Sequence, residues 1–580
     1  MDKRVLLTVA ICMGILFVWT KFFMPPAQQQ SGAPTVATAP AGDGGAAVAP
    51  PAVEPRKAGE PAIQRPAEVA APTPAEAAKP VERAPEVKDV HEEAGLYRAE
   101  FTSWGAALDS FVLLKPQFKE SVVNPDGKKQ PAQIDLVRTK GADLPLLVSF
   151  PQSDFSLPAD TAWQKIAGLG PDELGYAYDN DQVHIEKRFT FVPKTYQVKM
   201  KVSVENKSDK PLGQHLQLQV TGKQDPNVKP PGMFSQRLAQ TEGMCHVGGK
   251  LKRADLQSLL KKPIDEVGQA RFVGIDEKYF VSAMAQAVAP DRQERCWVSA
   301  TQEGVISSVV LEQERKVAPK SKTDYEFAGY FGPKFLDQLD SVTVAGVDAK
   351  LGDSVNYGWT EVLARPMLAV LKGVHFVIPN WGVAIILLTV LLKIITYWPT
   401  SKSMKSMREM AKCKPEVDKL KAKFGEDKQK FNVAVMALYK ERGINPLGGC
   451  LPMAIQMPIY IALYSMLGNS VELYHTPFVG WIQDLTANDP YYVLPLLTGA
   501  LMFAQQKLSP TPPDPQQKAM MYMMPVMFTA FSIFLPAGLT VYILTNTLLT
   551  MAQQWWLNRG EGATTRPSPA PKPTKATAKA

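Results

Sequence analysis

One charged residue stands within the most apolar stretch of this chain. Lys393 lies in the run WGVAIILLTVLLKIITYW, residues 381–398, which with its flanks is long enough to cross a lipid bilayer. A charge at membrane depth costs about 2.5–3.5 kcal/mol on insertion scales, so it usually marks a functional site. A lysine near a helix end can instead extend its amine to the membrane surface. Lys393 is therefore the first candidate for binding chemistry, with surface anchoring as the alternative.

Polar side chains continue along the helical face that carries Lys393. Thr389, Lys393 and Thr396 stand at positions i, i+4 and i+7, so they form one stripe on a helix. Further polar residues follow in two later apolar segments: Gln456, Tyr460 and Asn546. Each of these alone is explained by a helix–helix hydrogen bond of about 0.6 kcal/mol. Together with a charge, they favour a water-filled cavity between helices.

The polar part of the chain carries little catalytic chemistry. His184, His215 and His246 have no Cys, Asp or Glu at the spacing of a metal site. The sequence also lacks the G-x-x-x-x-G-K-[ST] pattern of a nucleotide-binding loop. We therefore expect no catalytic residue, no cofactor and no metal. Cys245 and Cys296 allow a disulfide in an oxidising compartment without requiring one.

The composition separates two unlike parts of the chain, which the mean hydropathy of −0.11 averages. Residues 24–360 are polar, whereas apolar runs dominate residues 374–556. Much of the basic excess lies in residues 399–446, which hold twelve Lys or Arg against six Asp or Glu. These features predict a membrane protein with a large water-soluble insertion rather than a globular enzyme.

The first 350 residues divide into three predicted segments. Residues 1–24 join a basic start to a short apolar run that no A-x-A cleavage pattern follows, which predicts an uncleaved signal-anchor helix. Residues 25–93 are rich in proline, alanine and glycine, as in a disordered linker. Residues 94–350 alternate apolar and polar side chains, as in the stretch YQVKMKVSV that begins at Tyr196, and predict a β-sandwich.

The second half of the chain is predicted to be helical. Residues 351–373 have the pattern of an interfacial amphipathic helix, with an ordinary packing helix as the alternative. Residues 374–558 form a core whose five spans lie at about 375–398, 447–467, 491–505, 519–535 and 537–557. The basic segment 399–446 predicts a cytoplasmic helical hairpin whose first helix is kinked at Pro415. Residues 559–580 form a basic, disordered tail.

The distribution of positive charge predicts the orientation. Loops rich in Lys and Arg face the cytoplasm, and residues 468–490 contain neither. With the anchor, this gives six spans, both termini inside and the β domain outside. The span of Lys393 then runs inward, and Lys393 lies about 7.5 Å before its cytoplasmic end. Because helical side chains lean toward the helix N-terminus, we expect water to reach Lys393 rather than the lysine to reach the surface.

Longer motifs resemble those of a known family. The segments NPLGGCLPMAIQMPIY at 445–460, DPYYVLP at 489–495 and PAGLTVY at 536–542 are similar to signatures of the YidC/Oxa/Alb membrane insertases. The resemblance covers roughly residues 359–559. The anchor and the large outside domain resemble the Gram-negative members, which implies a multi-pass bacterial inner-membrane protein with a periplasmic β-supersandwich domain.

This resemblance implies insertion and folding of nascent inner-membrane proteins through a hydrophilic groove, alone or beside the Sec translocon. In the family a positive residue on the second span lines the groove; Lys393 occupies that place, with Thr389 one turn earlier. Tyr542 matches a family tyrosine, but Ile543 follows it where some members have a second tyrosine. The implied partners are nascent membrane proteins, the Sec translocon and the lipid bilayer. The basic hairpin and tail also suit a surface for the ribosome, and for the signal recognition particle or its receptor, with packing alone as the alternative explanation of the hairpin.

A secondary transporter or channel, with Lys393 as the substrate or ion site, is the alternative function. Transporters usually show two repeated hydropathic halves with broken helices at matching positions. This chain shows one basic hairpin and a single charge within its predicted spans. The sequence therefore favours the insertase.

Overall fold

The computed structural model describes residues 85–123, 129–158, 161–227, 240–288, 292–424, 427–444, 451–508 and 515–561. The chain divides into two units, Met1–Pro85 and Glu86–Ala580, and the elements below belong to the second. The predicted anchor 1–24, most of the predicted linker, the motif start 445–450 and the tail beyond 561 lie outside the described residues.

The first part of the second unit is rich in strands. They are β1 (Lys88–Glu93), β2 (Tyr97–Thr102), β3 (Ala107–Leu113), β4 (Lys119–Val123), β5 (Lys129–Gln133), β6 (Val148–Ser149), β7 (Gln164–Lys165), β8 (Glu173–Asp179), β9 (Val183–Phe191), β10 (Gln197–Asn206), β11 (Leu212–Gln214), β12 (Gln217–Lys223), β13 (Glu242–Val247), β14 (Lys250–Asp255), β15 (Ile264–Gly268), β16 (Ala270–Asp276), β17 (Phe280–Gln286), β18 (Glu294–Ala300), β19 (Val305–Leu311), β20 (Arg315–Val317), β21 (Lys322–Pro333), β22 (Thr343–Val344) and β23 (Val347–Asp348).

Two antiparallel sheets form a sandwich, as the period-two pattern predicts. The larger has the order β14-β13-β16-β17-β21-β10-β9-β8-β7 and the smaller β15-β18-β19-β12-β6. In β10, Met200 and Val202 are buried while Lys199 and Lys201 are exposed, because alternate side chains point to opposite faces. Strands β12, β18 and β19 pack across β13 and β16, and the hydrophobic core lies between them.

A disulfide joins the two sheets. Cys245 lies on β13 of the larger sheet and Cys296 on β18 of the smaller one, with their Cα atoms 6.4 Å apart. Both side chains are fully buried. The pairing that the sequence left open is therefore present, and it closes a loop of 51 residues.

The β domain begins earlier than the sequence predicts. Residues 88–93, assigned to the disordered linker, form β1, which pairs antiparallel with β2 along its whole length. The stretch KDVHEE is polar, so its composition resembles a linker. Its place in the sheet comes from backbone hydrogen bonding to β2, which composition does not reveal.

Ten helices are present in the described residues. Two are short and lie in the β domain, α1 (Leu256–Lys261) and α2 (Leu336–Leu339). The others are α3 (Glu361–Val377), α4 (Trp381–Lys412), α5 (Lys414–Phe424), α6 (Lys428–Glu441), α7 (Leu451–Asn469), α8 (Val493–Leu508), α9 (Pro515–Ser532) and α10 (Ala537–Glu561). Helix α10 packs between α4 and α8 and touches α7, while α9 packs on α8.

Helix α4 starts and ends later than the predicted span 375–398. Pro379 disfavours helix at the residue before it, and the Asn380 side chain accepts from the Val383 N–H at 3.1 Å as an N-cap. The helix then continues through Pro399 to Lys412 and breaks at Cys413, so the predicted kinked first hairpin helix is divided between α4 and α5. An ion pair between Glu416 and Arg442 joins α5 to the end of α6.

One described helix, α4, is long and apolar enough to cross a membrane. It has 32 residues, or about 48 Å at 1.5 Å per residue. Before it, α3 is amphipathic and packs Met367, Leu368 and Leu371 inward while Val362 is exposed. The face of α3 that was predicted to be apolar is thus partly buried against the protein and partly exposed.

The loop between α7 and α8 docks on the β domain. The ring of Tyr474 lies 4.9 Å from that of Tyr279 and 5.6 Å from that of Phe280, and its hydroxyl donates to the Lys119 carbonyl oxygen at 3.2 Å. Lys372 on α3 completes the junction, because its amine forms ion pairs with the carboxylates of Glu472 at 2.9 Å and Asp337 at 2.8 Å. The helices are therefore held to the β domain by both aromatic and ionic contacts.

Candidate functional site

Lys393 lies where α4 packs against α10. Its side chain is half-buried, and its Nζ donates to the Thr550 hydroxyl oxygen of α10 at 2.8 Å. The Thr550 hydroxyl in turn donates to the Asn546 carbonyl oxygen at 2.6 Å. Among the described residues, the structure records no carboxylate in an ion pair with Lys393. The lysine charge is thus held by one neutral oxygen.

The two threonines predicted beside Lys393 are satisfied by their own helix. The Thr389 hydroxyl donates to the Ile385 carbonyl oxygen at 2.6 Å, and that of Thr396 to the Leu392 carbonyl oxygen at 2.8 Å. Both side chains are buried. They lie on the face of α4 that carries Lys393, but the structure gives them no hydrogen bond to its amine.

A second set of predicted residues joins α7 to α10. Gln456 Nε2 donates to the Tyr542 hydroxyl at 2.7 Å, and Asn546 Nδ2 donates to the Tyr460 hydroxyl at 3.1 Å. The two tyrosine rings meet edge to face at 5.5 Å between centroids. Tyr542 and its neighbour Ile543 are buried. Gln456 and Tyr460 therefore supply two parallel links from α7 to α10.

These two sets meet through Asn546. Its side chain reaches Tyr460 on α7, and its carbonyl oxygen accepts from Thr550, which holds Lys393 of α4. Three helices that are distant in sequence are therefore joined by one line of hydrogen bonds. Five of the seven predicted residues take part in these interhelical links: Lys393, Gln456, Tyr460, Tyr542 and Asn546. The other two, Thr389 and Thr396, form hydrogen bonds within α4.

The polar contact between α4 and α10 extends farther than the sequence interpretation reached. Gln553 Nε2 donates to the hydroxyls of Thr400 at 3.2 Å and Ser401 at 2.8 Å. Beyond it, the Arg408 guanidinium donates to the carbonyl oxygens of Leu557 and Gln554 near the end of α10. Thr396 and Thr400 are four residues apart, so a signal for this continuation was present. Thr400 and Ser401 were not included because the predicted span ends at residue 398, before Pro399.

The histidines of the β domain have structural surroundings. His246 is buried on β13, where its ring stacks on Phe272 at 5.2 Å and burial lowers the pKa of the imidazole. On β9, the ring nitrogens of His184 each lie 3.5 Å from a carboxylate oxygen, Nδ1 from that of Asp179 and Nε2 from that of Glu186. No group of three or more His, Cys, Asp or Glu side chains within the described residues is arranged to hold a metal ion.

Comparisons with known proteins match nearly the whole described chain. The family described as 60Kd inner membrane protein matches residues 373–564, and that described as YidC periplasmic domain matches residues 90–370. The membrane protein insertase YidC of Citrifermentans bemidjiense is 35% identical over 482 residues, covering 81% of this chain and 86% of that protein. The same-named protein of Oleidesulfovibrio alaskensis is 34% identical over 523 residues, covering 87% and 91%.

A solved structure is also similar to this chain. The crystal structure of an active YidC insertase with its first transmembrane domain resolved covers 82% of this chain and 93% of its own, at 18% identity and a TM-score of 0.36. The sequence relatives and the two matched families carry the assignment. The chain belongs to the YidC family of membrane protein insertases, which are non-enzymatic inner-membrane proteins with a β-rich periplasmic domain.

Proposed function

We propose that this chain inserts nascent membrane proteins through a hydrated groove between its helices, with Lys393 as the central binding residue. The observation that carries this proposal is the half-buried Lys393 amine, which has one hydroxyl partner and, within the described residues, no carboxylate in an ion pair. An ammonium group has three donors, so two remain for water or for a client, meaning the membrane protein that is being inserted.

The groove would work by lowering a barrier, with no chemical step. A polar segment of a client must pass apolar lipid, where each unsatisfied backbone group costs several kcal/mol. Water around Lys393 shortens that passage, and the ammonium attracts acidic residues of the translocated segment. Partitioning of the apolar part of the client into lipid then drives insertion, so no nucleotide is required.

The other candidates would form the wall behind the lysine. They are Thr389, Thr396, Gln456, Tyr460, Tyr542 and Asn546. Their polar atoms face the packed helices and are hydrogen-bonded there, which supports a wall that keeps its shape when water enters. Ile543 is buried beside Tyr542, which supports a groove that lacks the second tyrosine contact of some relatives.

Six spans with both termini in the cytoplasm are part of this proposal. Large apolar side chains project from α4, α8, α9 and α10 with more than half of their surface exposed: Ile394, Ile395, Trp398, Leu496, Val526, Met527 and Trp556. Lipid is the solvent that accepts such a surface.

Helix α8 is shorter than a typical bilayer is thick: it has 16 residues, about 24 Å, against a hydrocarbon core of about 30 Å. Short spans favour a thinner bilayer and a shorter crossing. The segment 1–24 would supply the sixth span.

The cytoplasmic partners would bind through the hairpin α5–α6 and the basic tail. Helix α5 carries three exposed lysines, Lys419, Lys421 and Lys423, and α6 carries a fourth, Lys440. Positive charge there favours ribosomal RNA, the signal recognition particle or its receptor. The family resemblance supports the Sec translocon as a further proposed partner.

Insertion into vesicles tests the function. The purified full chain is reconstituted, and a single-span client with a short acidic translocated tail is supplied, with protease protection of the tail as the readout. We expect Lys393→Ala to lower protection and Lys393→Arg to retain it, because the charge is the active feature. Normal insertion of every client by Lys393→Ala would contradict the role of Lys393. Insertion no better than in protein-free vesicles would contradict the function itself.

The same vesicles address the transporter alternative. A transporter or channel with a cation at its site would release a trapped anion or amino acid at a rate that Lys393→Ala changes. We expect the rate of solute release to equal that of protein-free vesicles. Solute release that depends on Lys393, without client insertion, would favour the alternative.

A further inference from the structure

We propose that Thr550 is a positioning residue that fixes the Lys393 ammonium in the groove and so sets its preference for acidic clients. This inference rests on the proposed function, because it deepens the role of Lys393. It starts from the 2.8 Å hydrogen bond between Lys393 Nζ and Thr550 Oγ1. Thr550 belongs to none of the sequence motifs discussed above.

The hydroxyl of Thr550 is oriented to receive a cation. A threonine hydroxyl has one proton to donate and lone pairs to accept with. The proton of Thr550 goes to the Asn546 carbonyl oxygen at 2.6 Å. Its lone pairs therefore face outward, where Lys393 donates to them. An approaching carboxylate would find no free proton on Thr550 and would bind the ammonium instead.

The orientation of Thr550 is itself supported by a third helix. The residue that accepts its proton, Asn546, is tied by its side chain to Tyr460 of α7 at 3.1 Å. The position of the Lys393 ammonium therefore depends on α7 as well as on α10, although the lysine itself belongs to α4. A lysine stem is flexible and loses much rotamer freedom when held. Thr550 keeps the amine between the helices instead of letting it extend toward the membrane surface.

A matched control lies one turn earlier on α10. Thr547 has the same side chain, and its hydroxyl donates to the Ile543 carbonyl oxygen of its own helix at 2.8 Å. The structure records no hydrogen bond between Thr547 and Lys393, whose recorded partner within the described residues is Thr550. Thr547→Val therefore removes a hydroxyl from the same helix without touching the amine.

The experiment compares two clients that differ in one charge. A single-span client carries one Asp in its translocated tail, and its twin carries Asn at that position. Full-length chains with Thr550→Val, Thr550→Ser, Thr547→Val or Lys393→Ala are reconstituted in vesicles, and the protected fraction of each tail is measured. The ratio of Asp to Asn client inserted is the readout. The Asn client in the same vesicles is the folding control.

We expect Thr550→Val to lower the ratio by about threefold, the factor of an average interhelical hydrogen bond in a membrane protein. Thr550→Ser, which restores the acceptor, and Thr547→Val should keep the wild-type ratio. Equal losses for both clients with Thr550→Val would assign a merely structural role to Thr550 and overturn the inference. An unchanged ratio would overturn it as well, provided that Lys393→Ala lowers the ratio. If Lys393→Ala changes nothing, the proposed function of Lys393 fails first.

Discussion

Two lysines withdrawn from solvent contrast the two regions of this chain. In the periplasmic domain, Lys187 on β9 is fully buried, and its Nζ donates to three backbone carbonyl oxygens, those of Gly105, Ala106 and Leu146. In the helical region, Lys393 is half-buried and, within the described residues, donates to one hydroxyl. Because an ammonium has three donors, Lys187 is saturated and Lys393 is not.

The difference teaches what each buried charge is for. A saturated charge fixes the loops that supply its acceptors and has no capacity left for a ligand. An unsaturated charge can still bind water or an acidic group. The same contrast holds more widely: the sheets are joined covalently by Cys245–Cys296, whereas the polar links of α4 and α7 to α10 are hydrogen bonds. We therefore expect changes in the periplasmic domain to alter its stability, and changes around Lys393 to alter insertion.

The largest expected effect is loss of the disulfide. Replacing Cys245 and Cys296 by Ala removes a cross-link that closes a 51-residue loop, and this should lower the unfolding free energy of the periplasmic domain by about 4 kcal/mol. Hydrogen exchange of the β13 and β18 amides in the full-length chain measures the loss, and reduction of the wild type is the control. Client insertion should stay normal. A parallel loss of insertion at temperatures where the domain remains folded would break the comparison.

The next effect is the pH dependence that Lys187 confers. Burial lowers the pKa of Lys187 to about 7, while an unfolded lysine titrates near 10.4. Between these values the unfolded chain binds more protons, so the unfolding free energy should rise with pH, by up to about 1.4 kcal/mol per unit. Amide exchange in β9 from pH 7 to 9 measures the slope.

Lys187→Met is the matched control for that slope. Methionine fills a similar volume but does not titrate, so this contribution to the pH dependence should disappear. It also leaves three carbonyl oxygens without their shared donor and should destabilise the domain at pH 7 by about 2 kcal/mol. If the unfolding free energy of Lys187→Met depends on pH as steeply as that of the wild type, Lys187 keeps its proton throughout this pH range.

The smallest effect belongs to the link between α7 and α10. Tyr542→Phe removes the hydroxyl that accepts from Gln456, and Gln456→Leu removes the donor. A double-mutant cycle on thermal unfolding in detergent should give a coupling of about 0.6 kcal/mol. Insertion of acidic and neutral clients should fall together, since this pair shapes the wall and carries no charge. A selective loss of the acidic client would place Tyr542 beside Lys393 in function.

The sequence singles out several residues of the candidate site because their signals are local. The cost of one lysine in an apolar run marks Lys393, and helical spacing groups Thr389 and Thr396 with it. Thr550 could not be found in this way, because nothing in the sequence says which of several threonines on α10 meets α4. The same limit applies to Gln456, because the sequence does not show that its partner is Tyr542 on another helix.

The fold was predictable where the pattern reflects burial and less so where hydrogen bonds decide. The alternation in β10 comes from its two faces and is readable. Strand β1 is polar and is ordered by pairing with β2, so composition alone assigned it to the linker. The start of α4 depends on the Asn380 cap after Pro379, a signal that was present and outweighed by the apolar run.

Water access at position 393 tests the central claim most directly. In a chain whose Cys12, Cys413 and Cys450 are replaced by Ser, Lys393→Cys is compared with Ile395→Cys, whose native side chain projects outward from α4 with 66% of its surface exposed. A membrane-impermeant thiol reagent is added from the cytoplasmic side of inverted vesicles. We predict that position 393 reacts readily and that position 395, facing lipid, does not. Labelling at 393 that is no faster than at 395 would contradict a hydrated groove.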